Sequence, residues 1–232
     1  MTPTVSMADL KALSDSFESK APQDLLAYAI GTYFPDLVLA SSFGAEDVAL
    51  IDMVCRINPK TPILYLDTDF LFKETYETRD RLIAKYGIAP LQVKSLLTPE
   101  RQAEKFGDKL WERRPDECCN QRKVEPLARA LRGYKAWITG IRRDQAPTRA
   151  NAGLVEWDQK FRMVKFNPLA RWMSEDVWTY IKLHDVPYNP LHDQNYPSIG
   201  CTYCTRPVMP GEDPRAGRWA GQAKTECGLH LK

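Results

Sequence analysis

The chain has 232 residues, enough to bury a substantial core as one domain, or as one domain with a C-terminal appendage. Its 32 Lys and Arg nearly balance 30 Asp and Glu, which excludes a global polyanion-binding surface and argues against nucleic acid as the partner. No apolar run reaches membrane-spanning length and the first ten residues lack the layout of a signal peptide, so the expected setting is cytoplasmic, with no membrane association.

In chain order, residues 7–20 and 22–34 carry apolar side chains at helical spacing, and Pro22 suits a first helical position. Leu37-Val38-Leu39-Ala40 predicts a short buried strand that breaks at Ser41-Ser42-Phe43-Gly44, and a helix is predicted over Ala45–Ile57. Residues 62–66 predict a second strand ending in Asp67-Thr68-Asp69, followed by a helix over 72–86 that Gly87 closes. Residues 91–94 predict a third strand, and Thr98 as cap with Pro99 behind it opens a shorter helix. Residues 117–131 read as a helix that Pro126 kinks or breaks, and residues 135–139 as a strand ending at Gly140. The pattern then loosens through Gln145 to Arg149. A strand-like stretch over 162–166 follows, and then a helix capped by Ser174 with Glu175 and Asp176 in its first turn. Beyond Pro187 the chain is rich in Pro, Gly and Asn, and such a segment needs something other than a core to order it.

Strands alternating with helices predict an α/β fold with a mainly parallel sheet flanked by helices. Ligands of such sheets sit beyond the carboxyl ends of the strands. That puts Ser41, Ser42, Phe43 and Gly44, then Asp67, Thr68 and Asp69, then Gly140, Ile141, Arg142 and Arg143 along one rim. The 41–47 segment joins a strand to a helix, and its two hydroxyls with the N–H groups of the helix start make a phosphate cradle. The plainer alternative is an ordinary turn with serine as cap. No Gly-Lys-Ser/Thr follows, so this is not a Walker A loop; it is closer to the loop of nucleotide hydrolases that cut between the α and β phosphorus.

The six cysteines divide unevenly. Cys55 falls in an apolar helical stretch and reads as an inert core residue. Cys118-Cys119 and the CxxC pair Cys201 and Cys204 offer four soft ligands, fit for tetrahedral zinc or an iron–sulfur cluster. Neighbouring side chains on a helix diverge by about 100°, which is awkward for one small ion and easier for a cubane with separate corners. Cys227 lies near the C-terminus, preceded by Glu226 and followed by His230. A carboxylate beside it raises a thiol pKa, whereas docking among Lys123, Arg215 and Arg218 would make it a thiolate. Lys123 is one helical turn beyond Cys119 and can share its face. Arg149 stands shortly after the 140–143 strand end. The histidines at 184 and 192 read as serving structure or solubility.

Taken together, Ser-Ser-Phe-Gly-Ala-Glu-Asp-Val (41–48), Leu-Asp-Thr-Asp (66–69), Cys-Cys-Asn-Gln-Arg-Lys-Val-Glu-Pro-Leu (118–127), Thr-Gly-Ile-Arg-Arg-Asp-Gln (139–145), Cys-Thr-Tyr-Cys-Thr-Arg-Pro (201–207), Arg-Ala-Gly-Arg-Trp (215–219) and Glu-Cys-Gly-Leu-His (226–230) resemble the cluster-containing assimilatory adenylyl-sulfate (APS) reductases of the APS/PAPS reductase family. The resemblance covers nearly the whole chain. It implies a sheet of the adenine nucleotide alpha hydrolase-like type in one domain over 1–232, with a nucleotide-binding core at 35–145. Residues 195–232 would form the irregular cluster loop and a mobile tail.

The resemblance further implies one [4Fe-4S] cluster per subunit on Cys118, Cys119, Cys201 and Cys204. It implies adenosine and phosphate held by 41–44, Leu66 and Gly140. Lys123, Arg215, Arg218, His230 and Arg149 would surround the phosphosulfate, and Cys227 would be the nucleophile. Thioredoxin would be the reductant, in cysteine biosynthesis, and a homo-oligomer is compatible with it. Asp69 departs from the glycine of many relatives and is assigned no ligand. A PAPS-specific or dual reductase is the nearest alternative; an adenylating tRNA-thiolation enzyme and a zinc-stabilised interaction module are more distant ones.

Overall fold

The computed structural model describes residues 6–222 together with 224, 226, 228 and 229. Among these, six strands form one sheet in the order β3-β2-β1-β4-β6-β5: β1 (Leu37–Ser41), β2 (Ile63–Asp67), β3 (Leu91–Lys94), β4 (Ala136–Ile138), β5 (Val155–Asp158) and β6 (Met163–Phe166). All neighbours are parallel except β5, which lies antiparallel on β6 as an edge. The chain winds outward from β1 through β2 to β3, then returns to lay β4 on the other side of β1. The winding therefore reverses between β1 and β4, and a crevice opens at their carboxyl ends.

Alternation along β1 sends Leu37 and Leu39 to one face and Val38 to the other. The first face packs against α1 (Met7–Ser16), α2 (Pro22–Tyr33), α3 (Ala45–Ile57), α4 (Lys73–Tyr86) and α9 (Ser174–Leu183). The second, with Leu64, Val93, Trp137 and Met163, packs against Leu127 and Leu131 of α8 (Glu125–Leu131). α3 is buried along most of its length, so a carboxylate at its middle needs partners. Asp52 accepts from Arg56 at 2.7 Å, Tyr86 Oη at 2.8 Å and Tyr180 Oη at 2.6 Å, which ties α4 and α9 to α3. Burial pushes its pKa up, but these three donors outweigh it and hold the carboxyl below the usual carboxylate range. Cys55 packs against this face, and burial with Asp52 nearby pushes its thiol up to about 11, as befits an inert core residue. No helix among the described residues is long and apolar enough to cross a membrane.

The structure corrects four sequence expectations. β5 has no counterpart among the predicted strands. Ser174 is not the cap of α9: Met173 holds that position, and its N–H donates to Asp176 at 2.8 Å. α1 stops at Ser16, four residues before the predicted end. The helix expected over 117–131, with a kink or break at Pro126, is instead α7 (Pro115–Cys119), a π-helical turn at Asn120–Val124, and α8, so the irregularity falls ahead of the proline. Glu125 N donates to Asn120 O, five residues back, and Pro126, which has no N–H to donate, follows at once.

The irregular region beyond Pro187 is ordered by docking. Thr202 N donates to Phe70 O at 2.8 Å, Leu71 bridges to Cys201, and Trp219 N donates to Cys204 O at 3.1 Å. Tyr203 stacks on Trp111 of α6 (Leu110–Arg113) with ring centroids 4.0 Å apart.

Candidate active site

The crevice is a cavity of about 590 Å³. Ser41, Ser42, Phe43 and Gly44 form its floor, with Leu66, Thr68 and Gly140 beside them. Lys123, Arg142, Arg149, Arg215 and Arg218 line it as well, so every candidate substrate residue among the described ones faces one space. Cys227 and His230 lie outside the described residues.

The loop after β1 is locked by its own side chains. Phe43 takes a left-handed φ of 59°, and its N–H donates to Ser41 Oγ at 3.0 Å. Asp47 reaches back to accept from Ser42 N at 2.5 Å and Ser42 Oγ at 2.7 Å. Gly44, not a serine, is the cap of α3, and no side chain caps that helix. The two hydroxyls thus also brace the loop, which holds the N-terminus of α3 toward the crevice. Gly140 is required here: a Cβ would run into the Asp47 carboxylate and stand 2.9 Å from Glu46 Cβ.

Burial pushes Asp47 up to about 6 despite its two Ser42 donors. Above the ordinary carboxylate range but below pH 6, the folded protein keeps a proton that the unfolded chain has released, so stability falls as pH rises through that window. Asp47→Asn should cut the loss of unfolding free energy between about pH 4 and pH 6.5 by about 2 kcal/mol relative to the parent. Urea titrations at both pH values measure it, and an unchanged difference would refute the assignment.

The cations differ in what occupies them. Arg142 is buried, with Nε 2.9 Å from Glu46 and Nη1 bound to Asp144, so it braces the start of α3 against the loop after β4. Arg143 donates to both Glu18 carboxylate oxygens. Gly200 lets the Arg218 guanidinium pass, since a Cβ there would stand 2.5 Å from its Nη2. Arg149 and Arg215 both bind Glu226, at 2.8 and 3.4 Å.

Behind the cavity wall, Cys118, Cys119, Cys201 and Cys204 line a second, small cavity. None of the described cysteines is disulfide-bonded. Burial and mutual proximity push Cys118 up to about 12 and Cys204 up to about 11, and the Lys123 and Arg218 cations oppose the rise at Cys204. Thr68 Oγ1 lies 3.3 Å from Cys201 Sγ. Lys123 and Arg218 line both cavities, so the π turn does not remove Lys123 from the thiols. Among the described residues, no three His, Cys, Asp or Glu side chains are placed to hold a single metal ion. Arg122 Nη2 and Trp219 Nε1, on the wall of the thiol cavity, are buried with no hydrogen-bond partner among the described residues. Four thiols ringed by unspent N–H donors suit an anionic group with several acceptor sulfurs better than a lone cation.

Three participants escaped the sequence reading. Asp47 carried no signal beyond its place in the loop. His192 lines the cavity, and burial lowers its pKa. Glu226 was noted as a neighbour of Cys227, whereas its carboxylate turns away onto two arginines. Asp69, the departure from glycine, has a left-handed φ of 60°, which explains why glycine suits that position. Its carboxylate is spent on Arg122 at 2.7 Å and on Lys94 at 2.5 Å.

A family model described as the phosphoadenosine phosphosulfate reductase domain matches residues 36–207. The adenosine 5′-phosphosulfate reductase of Shouchella clausii is 52% identical over 223 residues, covering 96% of this chain and 92% of that one. The phosphoadenosine 5′-phosphosulfate reductase of Gloeobacter violaceus is 48% identical over 229 residues, covering 97% and 95%. A crystal structure of phosphoadenylyl-sulfate reductase from Candida auris, a phosphate complex, matches with a TM-score of 0.78 at 31% identity, covering 88% of this chain and 98% of that one. The adenine nucleotide alpha hydrolase-like sheet expected from the sequence is the one found, and the chain belongs to the phosphoadenosine phosphosulfate reductase family.

Proposed function

We propose that the chain is an adenylyl-sulfate reductase that uses thioredoxin thiols to convert APS to sulfite and AMP in the cytoplasm. The observation that carries this reading is that Glu226 and Leu229, on either side of Cys227 in the chain, line the same cavity as the candidate phosphosulfate cations. Cys227 thiolate attacks the sulfur of the substrate, the S–O bond to AMP breaks, and an S-sulfocysteine forms. A thiolate of the partner then attacks Cys227 Sγ, sulfite leaves with the S–S electron pair, and the partner's second thiol resolves the mixed disulfide. Both electrons come from the dithiol, and Cys227 ends as it began.

The chemical difficulty is bringing an anionic nucleophile to an anionic sulfuryl group. Lys123, Arg149, Arg215 and Arg218, all in the cavity lining, offset that repulsion. Ser41 to Gly44, Leu66, Thr68 and Gly140 hold the nucleotide, and Arg142 positions the cradle. His230 is assigned with the phosphosulfate cations. Cys118, Cys119, Cys201 and Cys204 would hold a [4Fe-4S] cluster, one per subunit, which would supply a fixed anionic centre against Lys123 and Arg218. A substrate with an added 3′-phosphate is the second reading, favoured by the name of the Gloeobacter relative. Steady-state rates with both nucleotides decide between them, and a preference for the 3′-phosphorylated one of more than tenfold overturns the first. Substrate labelled in its sulfur should leave protein-bound label that dithiol releases as sulfite, and absence of that adduct would sink the covalent scheme.

A further inference from the structure

Glu226 is 5% exposed, and a carboxylate so buried persists only if its charge is compensated. The compensation comes from two guanidiniums. Arg149 donates Nε at 3.1 Å and Nη2 at 2.8 Å to one oxygen, and Arg215 Nη2 stands 3.4 Å from the other. Arg149 is held in turn by Gln145, which accepts from its Nη1 at 2.5 Å. The same tail is anchored on both sides of residue 227. Lys224 pairs with Asp116, the Gly228 carbonyl accepts from Lys160 Nζ at 2.6 Å, and Leu229 packs against the Val38, Leu64 and Trp137 face of the sheet. These described tail residues are docked on the body of the protein. Of the anchors, Glu226 is the one joined to cavity cations, and it is also the chain neighbour of the candidate nucleophile.

The cavity volume of about 590 Å³ already counts Glu226 in the wall. Small-molecule pockets typically measure about 300–1,000 Å³, so a nucleotide fits with the carboxylate in place. The volume therefore does not require Glu226 to leave when a nucleotide enters.

We propose that Glu226 is a positioning residue: held between Arg149 and Arg215, its carboxylate docks the tail and so presents Cys227 to the cavity. The proposal rests on the reading of Cys227 as nucleophile. Glu226→Gln keeps the size and removes the charge, and Glu226→Asp keeps the charge on a shorter arm. In single-turnover experiments with labelled APS, Glu226→Gln should slow adduct formation at least about tenfold while the AMP dissociation constant moves less than about threefold. Glu226→Asp should recover part of the rate. Independently of activity, hydrogen exchange of the 220–232 peptide should rise at least about tenfold in Glu226→Gln, with the core peptides unchanged.

A parental adduct rate in Glu226→Gln, or unchanged exchange, overturns the clamp. Tenfold tighter AMP binding at an unchanged adduct rate overturns it in favour of a plug. No adduct in the parent protein would strike the nucleophile assignment, and the exchange measurement would still decide whether Glu226 docks the tail.

Discussion

Cys227→Ser should lower AMP release from APS by at least about 10⁴-fold while leaving AMP affinity within about threefold of the parent. The asymmetry follows from chemistry. A serine hydroxyl stays protonated near neutrality where a thiol among cations ionises, so the attack itself is lost. Even a slow attack would leave an O-sulfate, which a thiol cannot cleave as it cleaves an S–S bond, so turnover would stop there. The described lining of the cavity offers a nucleotide many contacts besides the cysteine, so binding survives. Isothermal titration with AMP and quenched-flow assay of sulfite measure the two sides. Retained turnover would remove Cys227 as nucleophile.

Arg122→Met should cost about 3 kcal/mol of stability. The guanidinium is 1% exposed; Nε donates to Gln102 at 2.8 Å, Nη1 to Asp69 at 2.7 Å and to Thr68 O at 3.3 Å, and the group lies 4.7 Å from the Phe70 ring centroid. Methionine fills similar space but leaves the buried Gln102 oxygen without a donor and Asp69 with Lys94 as its remaining partner. Lys94 is about half exposed and cannot make up the difference. For a chain of this size the loss reads as roughly 6–12 °C in melting temperature. A change below about 1 kcal/mol in urea unfolding would show that Arg122 is not what holds the π turn against the β2–α4 loop.

Much of the frame was legible from local pattern. The apolar runs of β1, β2, β3 and β4 each stand next to a helix with its own start or stop signal, such as Thr98 capping α5 (Pro99–Phe106) through Arg101 N or Gly87 closing α4. What escaped depends on contacts between distant residues. β5 is a Val-Glu-Trp-Asp stretch that becomes a strand because β6 pairs with it and α1 covers it. Nothing local to Arg122 marks it for burial, which is decided by Asp69 and Gln102, far back in the chain. Glu226 meets an arginine 77 residues away. The four cysteines were legible as a group from spacing, because adjacency and CxxC are local; the arginine and tryptophan donors around them were not.

Lys123 and Arg218 stand in the wall between the nucleotide cavity and the thiol cavity. Two anionic occupants that draw on the same cations are thermodynamically linked, and linkage is reciprocal. Whatever charge sits on the sulfur side sets how strongly those cations hold a nucleotide, and a bound nucleotide changes the affinity of the sulfur side by the same factor. On the proposed reading, an affinity measured for the nucleotide would hold only for a stated occupancy of the thiol cavity.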